Sequence, residues 1–271
     1  MIYIYPILIF AALGLFSGVL LTVASKALAV HVDERTAKIS EALPQANCGA
    51  CGYAGCSAYA DAIVSHAEKT NLCKPGGADV SVIISSIMGT EAMTFVPEVS
   101  VVHCGGDCDS TSRRYEFDGI NTCVAAKRFY GGGGTCRTGC IGLGDCARVC
   151  TETAISLDDG VAVIDRAKCL ACGKCVTACP QGLIALQPIT KHFTVACSST
   201  APGKETRQVC KKGCIGCKIC EKKCLAGAIT VTDNHASIDY TKCTGCGQCY
   251  NACPTGAIKS CSANAGEGAE I

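Results

Sequence analysis

The stretch Cys214-x2-Cys217-x2-Cys220-x3-Cys224, then eighteen residues, then Cys243-x2-Cys246-x2-Cys249-x3-Cys253-Pro254 leaves the chain few ways to fold. Three cysteines two residues apart on a tight loop can each reach one corner of an iron–sulfur cubane. The fourth, three residues on, faces away and must serve another cluster. Two such runs have to come together in space, because neither cluster is complete without a cysteine from the other run.

In the bacterial two-cluster pattern each run lends its last cysteine to the other run's cluster, and a proline follows that cysteine. Cys214, Cys217, Cys220 and Cys253 then hold one [4Fe-4S] cluster, and Cys224, Cys243, Cys246 and Cys249 hold the other. Sliding the sequence against itself by 74 residues reveals an earlier copy, in which Cys140, Cys146, Cys150, Cys169, Cys172, Cys175 and Cys179 fall on Cys214, Cys220, Cys224, Cys243, Cys246, Cys249 and Cys253. Cys150, Cys169, Cys172 and Cys175 form a complete set. The other set keeps Cys140, Cys146 and Cys179, with Leu143 where Cys217 stands. Cys136, one turn upstream, is expected to complete it; a three-iron cluster is the alternative. The same register pairs Cys123 with Cys197 and Cys136 with Cys210, so Cys136 and Cys210 can also have a role independent of the missing cysteine.

The chain has 26 cysteines in 271 residues, a density that leaves disulfides, structural zinc or iron–sulfur clusters as explanations. Closely spaced Cys-x2-Cys-x2-Cys runs do not suit disulfide geometry. Zinc needs four ligands, usually from two Cys-x2-Cys knuckles, and does not call for three regularly spaced cysteines plus a swapped fourth. The formal net charge is +1, but five four-thiolate cubanes at about two negative charges each would take the loaded protein to about −9. Nothing resembles a nucleic-acid stripe. Cys104, Cys108, Cys123, Cys197 and Cys210 are candidates for a sixth cluster, against the plainer reading of thiols that pack as small hydrophobes. Cys261 reads as a free thiol, and His103 as a surface or capping residue rather than a ligand.

Ile2 to Ser25 is uncharged and mostly apolar; as a helix it would span about 36 Å, enough for a hydrocarbon core of about 30 Å. A transmembrane helix is expected there rather than a signal peptide, which would need a basic start and a shorter apolar run. Lys26, Arg35 and Lys38 follow it and no Lys or Arg precedes it, so the positive-inside bias places the rest of the chain on the cytoplasmic side. Next comes Cys48-Gly49-Ala50-Cys51-Gly52-Tyr53-Ala54-Gly55-Cys56, with Cys73 further on. Its glycines let backbone amides approach cluster sulfurs, and the helical pattern from Ser57 to Ala67 would return the chain so that Cys73 closes the set. A zinc knuckle is the competing reading.

An N-terminal membrane helix, then Leu43-Pro44-x2-Asn47-Cys48-Gly49-x-Cys51-Gly52-Tyr53-x-Gly55-Cys56, then ferredoxin units resembles the B subunit of the Rnf electron-transport complex, an ion-translocating ferredoxin:NAD oxidoreductase. The resemblance covers essentially the whole chain, in the long form with duplicated ferredoxin units. It implies that reduced ferredoxin docks on the cytosolic part and that electrons pass to other membrane and peripheral subunits, reaching NAD through a separate flavin-bearing subunit. No flavin or NAD is expected on this chain. Gly131 to Gly134 lacks the Lys-Ser/Thr of a P-loop and reads as a flexible loop.

The expected fold is α+β: a transmembrane helix at 2–25, a connector at 26–42, a small four-cysteine iron–sulfur domain at 43–103, a linker with extra cysteines at 104–135, two tandem ferredoxin-like two-cluster domains at 136–190 and 191–261, and a tail at 262–271. Each ferredoxin-like domain should contain a hairpin, Ala154–Leu157 with Val161–Ile164 and Ala228–Val231 with Ala236–Ile238. With five clusters, or six, the chain is expected to be a membrane-anchored electron wire; the alternative is a tethered polyferredoxin that stores electrons. Lys204, Arg207, Lys211, Lys212, Lys218, Lys222 and Lys223 crowd the second repeat and could steer an acidic ferredoxin, or simply solvate one face.

Overall fold

The computed structural model describes residues 4–27, 33–129 and 131–261. Residues 28–32 of the expected connector, Tyr130 and the expected tail at 262–271 lie outside the described residues. The first element, α1 (Ile4–Ala27), is a continuous 24-residue helix that carries Pro6 in its first turn, where a missing amide donor costs no intrahelical bond. Phe10, Leu15, Phe16 and Leu21 point to different sides of it, and each is about two-thirds or more exposed. The side chains at 6–8 and 26–27 fall outside the described residues, and among the described residues no helix is long and apolar enough to cross a membrane.

Three short helices, α2 (Glu34–Ala42), α3 (Cys56–His66) and α4 (Gly77–Met88), enclose the first core. The Asp33 carboxylate accepts the Arg35 amide at 2.9 Å and so caps α2. Ile39 and Leu43 from α2 and its cap pack against Tyr59, Ala60, Ile63 and Ile84. The segment expected as a connector therefore belongs to the four-cysteine domain, because its apolar residues have no other place to be buried.

The rest is a pair of similar α+β units. The first contains β1 (Glu98–Val102), α5 (Cys123–Arg128), α6 (Asp145–Arg148), β2 (Ile155–Asp158), β3 (Val161–Ile164), α7 (Lys174–Ala178) and β4 (Ile184–Pro188). The second contains β5 (Phe193–Val195), α8 (Gly203–Val209), α9 (Ile219–Lys223), β6 (Ile229–Thr232), β7 (His235–Ile238), α10 (Gln248–Ala252) and β8 (Ile258–Ser260). Each unit pairs its outer strands, β1 with β4 and β5 with β8, and its inner hairpin, β2 with β3 and β6 with β7, all antiparallel. Both hairpins turn through two left-handed residues, Asp159-Gly160 and Asp233-Asn234, the backbone that matches the strands' own twist. β1 had been expected in the four-cysteine domain, but its pairing with β4 makes it part of the first ferredoxin-like unit.

Strand pairing also revises the internal repeat. Val102 stands opposite Ile184 and Val195 opposite Ile258, so Cys104, two residues beyond Val102, is the counterpart of Cys197, two beyond Val195. The sequence register instead matched Cys123 with Cys197. The discrepancy is an insertion in the first unit: thirty-one residues separate Cys104 from Cys136, whereas twelve separate Cys197 from Cys210. Cys123 and α5 lie in that insertion.

Gly142 and Gly216 occupy equivalent left-handed positions in the ligand loops and lie against the hairpin turns. A Cβ on Gly142 would come within 2.5 Å of the Gly160 carbonyl oxygen, and one on Gly216 within 2.8 Å of Asn234 Cα. Gly227 is also left-handed, but its Cβ would meet nothing within 4 Å. Gly216→Ala and Gly227→Ala both put alanine into a left-handed backbone, at about 1–3 kcal/mol each, and Gly216→Ala should lose clearly more through its contact with Asn234, read as the temperature at which visible absorbance is lost under argon.

Candidate metal centres

In the four-cysteine domain, Cys48 and Cys51 lie on the glycine loop, Cys56 opens α3, and Cys73 follows a return strap. Asn47 Oδ1 accepts the Cys56 amide at 2.8 Å, which ties the loop to the helix. The buried Tyr59 hydroxyl donates to the Lys69 carbonyl at 2.6 Å and accepts the Leu72 amide at 3.2 Å, so the strap is held where Cys73 can face the loop. Burial pushes the Cys73 thiol up; the Gly76 amide opposes this, and Cys56, Cys48 and Cys51 reinforce it. The four sulfurs expected from the spacing are thus brought together.

The second unit follows its template. Cys214, Cys217, Cys220 and Cys253 line one cavity with Val195, Val231 and Ile258. Burial pushes the Cys220 thiol up to about 11, with the thiols of Cys214, Cys217 and Cys253 reinforcing it against the Glu221 amide. Cys253 behaves differently. Burial would raise it, but the amides of Ile258, Thr255 and Ala257 and the Thr255 hydroxyl outweigh burial and hold it below the usual thiol range. Cys249, buried, has Cys243 and Cys224 as charged-state neighbours, and Cys246 lies exposed on the same loop. The swap of Cys224 and Cys253 between runs is built into one core, where Cys214, Cys220 and Cys249 pack with Ile229 and Ile258.

The first unit repeats this with one exchange. Cys175 has Cys169 and Cys172 as neighbours, and Cys150 packs against the same core as Cys175 and Cys146. At the site lacking a cysteine at position 143, the cavity is lined by Cys123, Cys140, Cys146 and Cys179. Burial raises the Cys146 thiol to about 11, reinforced by Cys140, Cys123 and Cys179. Cys136, expected here, instead lines a separate cavity with Cys104, Cys197 and Cys210. Cys123 is placed by α5: Thr122 Oγ1 accepts the Ala125 amide at 3.1 Å, and Asp145 Oδ2 accepts the Val124 amide at 3.0 Å, which fastens the start of α5 to α6. No spacing rule could have singled out Cys123, since it comes from an insertion and its sequence register points to Cys197.

Backbone amides are aimed at several of these sulfurs: Ala154 to Cys150 at 3.4 Å, Leu183 to Cys179 at 3.5 Å, Ala228 to Cys224 at 3.3 Å and Ser100 to Cys169 at 3.5 Å. Such bonds favour thiolate over thiol and stabilise a metal-bound sulfur. Among the described residues no group of three or more His, Cys, Asp or Glu side chains converges as a site for a single metal ion. Rings of four thiols around a cavity, served by amides, suit a cubane with a sulfur ligand at each iron.

Of the remaining expected residues, Cys108 is exposed beside the β2–β3 turn, where its amide donates to the Asp159 carbonyl at 2.9 Å. Lys204, Arg207, Lys211, Lys218, Lys222 and Lys223 are exposed. Lys212 is ion-paired with Asp107 of the first unit, so it serves the junction between units rather than an open basic face. His103 Nδ1 donates to the Val195 carbonyl at 2.9 Å across the same junction.

Comparison with known proteins places iron–sulfur families on these segments. Residues 43–75 match a family of Fe-S cluster segments, 136–183 a 4Fe-4S dicluster domain and 236–259 a 4Fe-4S binding domain. The chain is 40% identical over 88% of its length to the B subunit of the Na(+)-translocating ferredoxin:NAD(+) oxidoreductase complex of Acetobacterium woodii, of which it covers 72%. It is 39% identical over 90% of its length to the B subunit of the ion-translocating oxidoreductase complex of Methanosarcina acetivorans, covering 92% of that protein. The chain belongs to the family of Rnf B subunits. A third member, the B subunit of the proton-translocating ferredoxin:NAD(+) oxidoreductase complex of Clostridium ljungdahlii, is 37% identical over 88% of the chain and is covered to 84%. As a member of this family with dicluster domains, the chain is an iron–sulfur protein that carries multiple [4Fe-4S] clusters.

The placement of Cys123 has a direct check. Cys123→Ser should deplete iron or convert one centre to a three-iron form, seen by electron paramagnetic resonance of the oxidised protein. Adding Leu143→Cys, which restores the residue present in the second unit, should recover the four-iron centre.

Proposed function

We propose that the chain is the membrane-anchored electron-transfer subunit of an ion-translocating ferredoxin:NAD oxidoreductase, taking electrons from reduced ferredoxin and passing them to partner subunits. The observation that carries this reading is that thiols of both sets share one core in each ferredoxin-like unit, Cys140, Cys146 and Cys179 with Cys150 and Cys175 in the first, and Cys214, Cys220 and Cys253 with Cys224 and Cys249 in the second. A cubane supplies reversible one-electron chemistry at a potential tuned by burial and hydrogen bonds. The chain's own residues determine where each electron can rest. Five ligand sets follow: Cys48, Cys51, Cys56 and Cys73; Cys123, Cys140, Cys146 and Cys179; Cys150, Cys169, Cys172 and Cys175; Cys214, Cys217, Cys220 and Cys253; and Cys224, Cys243, Cys246 and Cys249. Each amide directed at a sulfur disperses negative charge, so differences in amide number bias the direction of transfer. A difference of about 59 mV changes a one-electron equilibrium tenfold.

Entry of electrons at the second unit is favoured by exposure. Cys217 reaches the surface, next to Lys218 and within the same helix–loop segment as Lys222 and Lys223. An acidic redox partner would be steered to that ligand. α1 would anchor the assembly: the exposed apolar side chains on its different sides call for lipid or partner helices rather than water. Lys26, Arg35 and Lys38 then favour the cytoplasmic side for the cysteine-bearing domains.

Replacing Lys218, Lys222 and Lys223 with Glu should slow reduction by ferredoxin about tenfold at low salt and flatten its salt dependence, measured by stopped-flow absorbance; unchanged kinetics would remove this docking face. If the chain were instead a tethered electron store, purification from membranes would yield it without partner subunits and without ferredoxin-dependent NAD reduction.

A further inference from the structure

Cys104, Cys136, Cys197 and Cys210 belong to none of the five sets, yet they line one cavity at the junction of the two ferredoxin-like units. Strand pairing makes Cys104 and Cys197 counterparts, and the repeat makes Cys136 and Cys210 counterparts, so each unit offers the same pair. All four cysteines border the same space, together with Gly106 and Gly139.

Two features argue against idle thiols that merely pack. The first is hydrogen bonding: the Cys140 amide donates to Cys104 Sγ at 3.3 Å, and the Ser199 amide to Cys197 Sγ at 3.5 Å. The second is the glycine lining. A Cβ on Gly106 would come 3.3 Å from Cys210 Sγ and 3.9 Å from Cys104 Sγ, and one on Gly139 would lie 3.4 Å from Cys136 Sγ. Side chains there would occupy the room between the sulfurs. The junction itself is fastened by backbone-directed bonds, Thr111 Oγ1 to the Val209 carbonyl at 2.7 Å and the Lys211 amide to the Ser110 carbonyl at 2.9 Å, together with the Asp107–Lys212 ion pair.

We propose that Cys104, Cys136, Cys197 and Cys210, as thiolates, hold a further [4Fe-4S] cluster shared between the two units, two ligands from each. The proposal rests on the electron-transfer reading above and deepens it. Cys140 and Cys214, ligands of one set in each unit, send their amides to Cys104 and Cys197 respectively. The shared site therefore adjoins one centre of the first unit and one of the second, and it is the connection between them. With it, 24 of the 26 cysteines are ligands and only Cys108 and Cys261 are left over.

The test is iron, zinc and acid-labile sulfide per full-length chain after anaerobic reconstitution. The wild-type protein should hold about 24 iron atoms, Cys136→Ser/Cys210→Ser about 20, and the control Cys108→Ser about 24. A wild-type value of about 20 that the double variant leaves unchanged would overturn the shared cluster while leaving the other five intact. Stoichiometric zinc, present in the wild type and lost in the double variant, would overturn it too. Wild-type protein without iron would instead refute the electron-transfer reading on which it rests. Should the double variant fail to fold, the wild-type count decides, and Cys104→Ser/Cys197→Ser supplies the second pair.

Discussion

Four thiolates cannot be crowded into a small interior without help, because each carries charge that burial opposes. Burial raises the Cys146 and Cys220 thiols to about 11 by that opposition. The fold answers it by bringing backbone amides onto sulfur. Left-handed residues such as Gly142, Gly216 and Lys218 turn the chain around the candidate ligands, of which Cys146, Cys175, Cys220 and Cys249 stand on helices of four or five residues. Strands in each unit are also short. They hold the loops in register and leave the interior to sulfur.

The two-cluster units were legible because their ligands obey a local rule. Both hairpins appear where the sequence placed them, and Cys253 lines a cavity with Cys214, Cys217 and Cys220. The four-cysteine domain was legible for its cysteines but not for its boundary. α2 looked like a polar tether, since only Ile39 and Leu43 supply its buried face, and two apolar residues do not announce a core position until their partners Tyr59 and Ile84 are seen.

The hidden part was the one that depends on contacts distant in sequence. Cys123 reaches the cavity of Cys140, Cys146 and Cys179 from an insertion with no counterpart in the second unit. Cys104 was assigned to a linker because only the pairing of β1 with β4 shows it to be the equivalent of Cys197. A shift of 74 residues lays Cys123 on Cys197 only by coincidence. Strand register, unlike letter matching, is set by which side chains face the core.

In the ligand sets proposed above, the exchange of terminal cysteines sets the order in which the protein matures. A site begun at Cys214 lacks its fourth sulfur until Cys253 has been synthesised, and the set at Cys150 waits for the run ending at Cys175. As the chain leaves the ribosome, each unit must first exist as a metal-free segment whose partial thiol sets can bind iron only weakly. Loading then comes late, unit by unit, and a chain truncated just before Cys253 would lose a centre whose first three ligands lie more than thirty residues upstream.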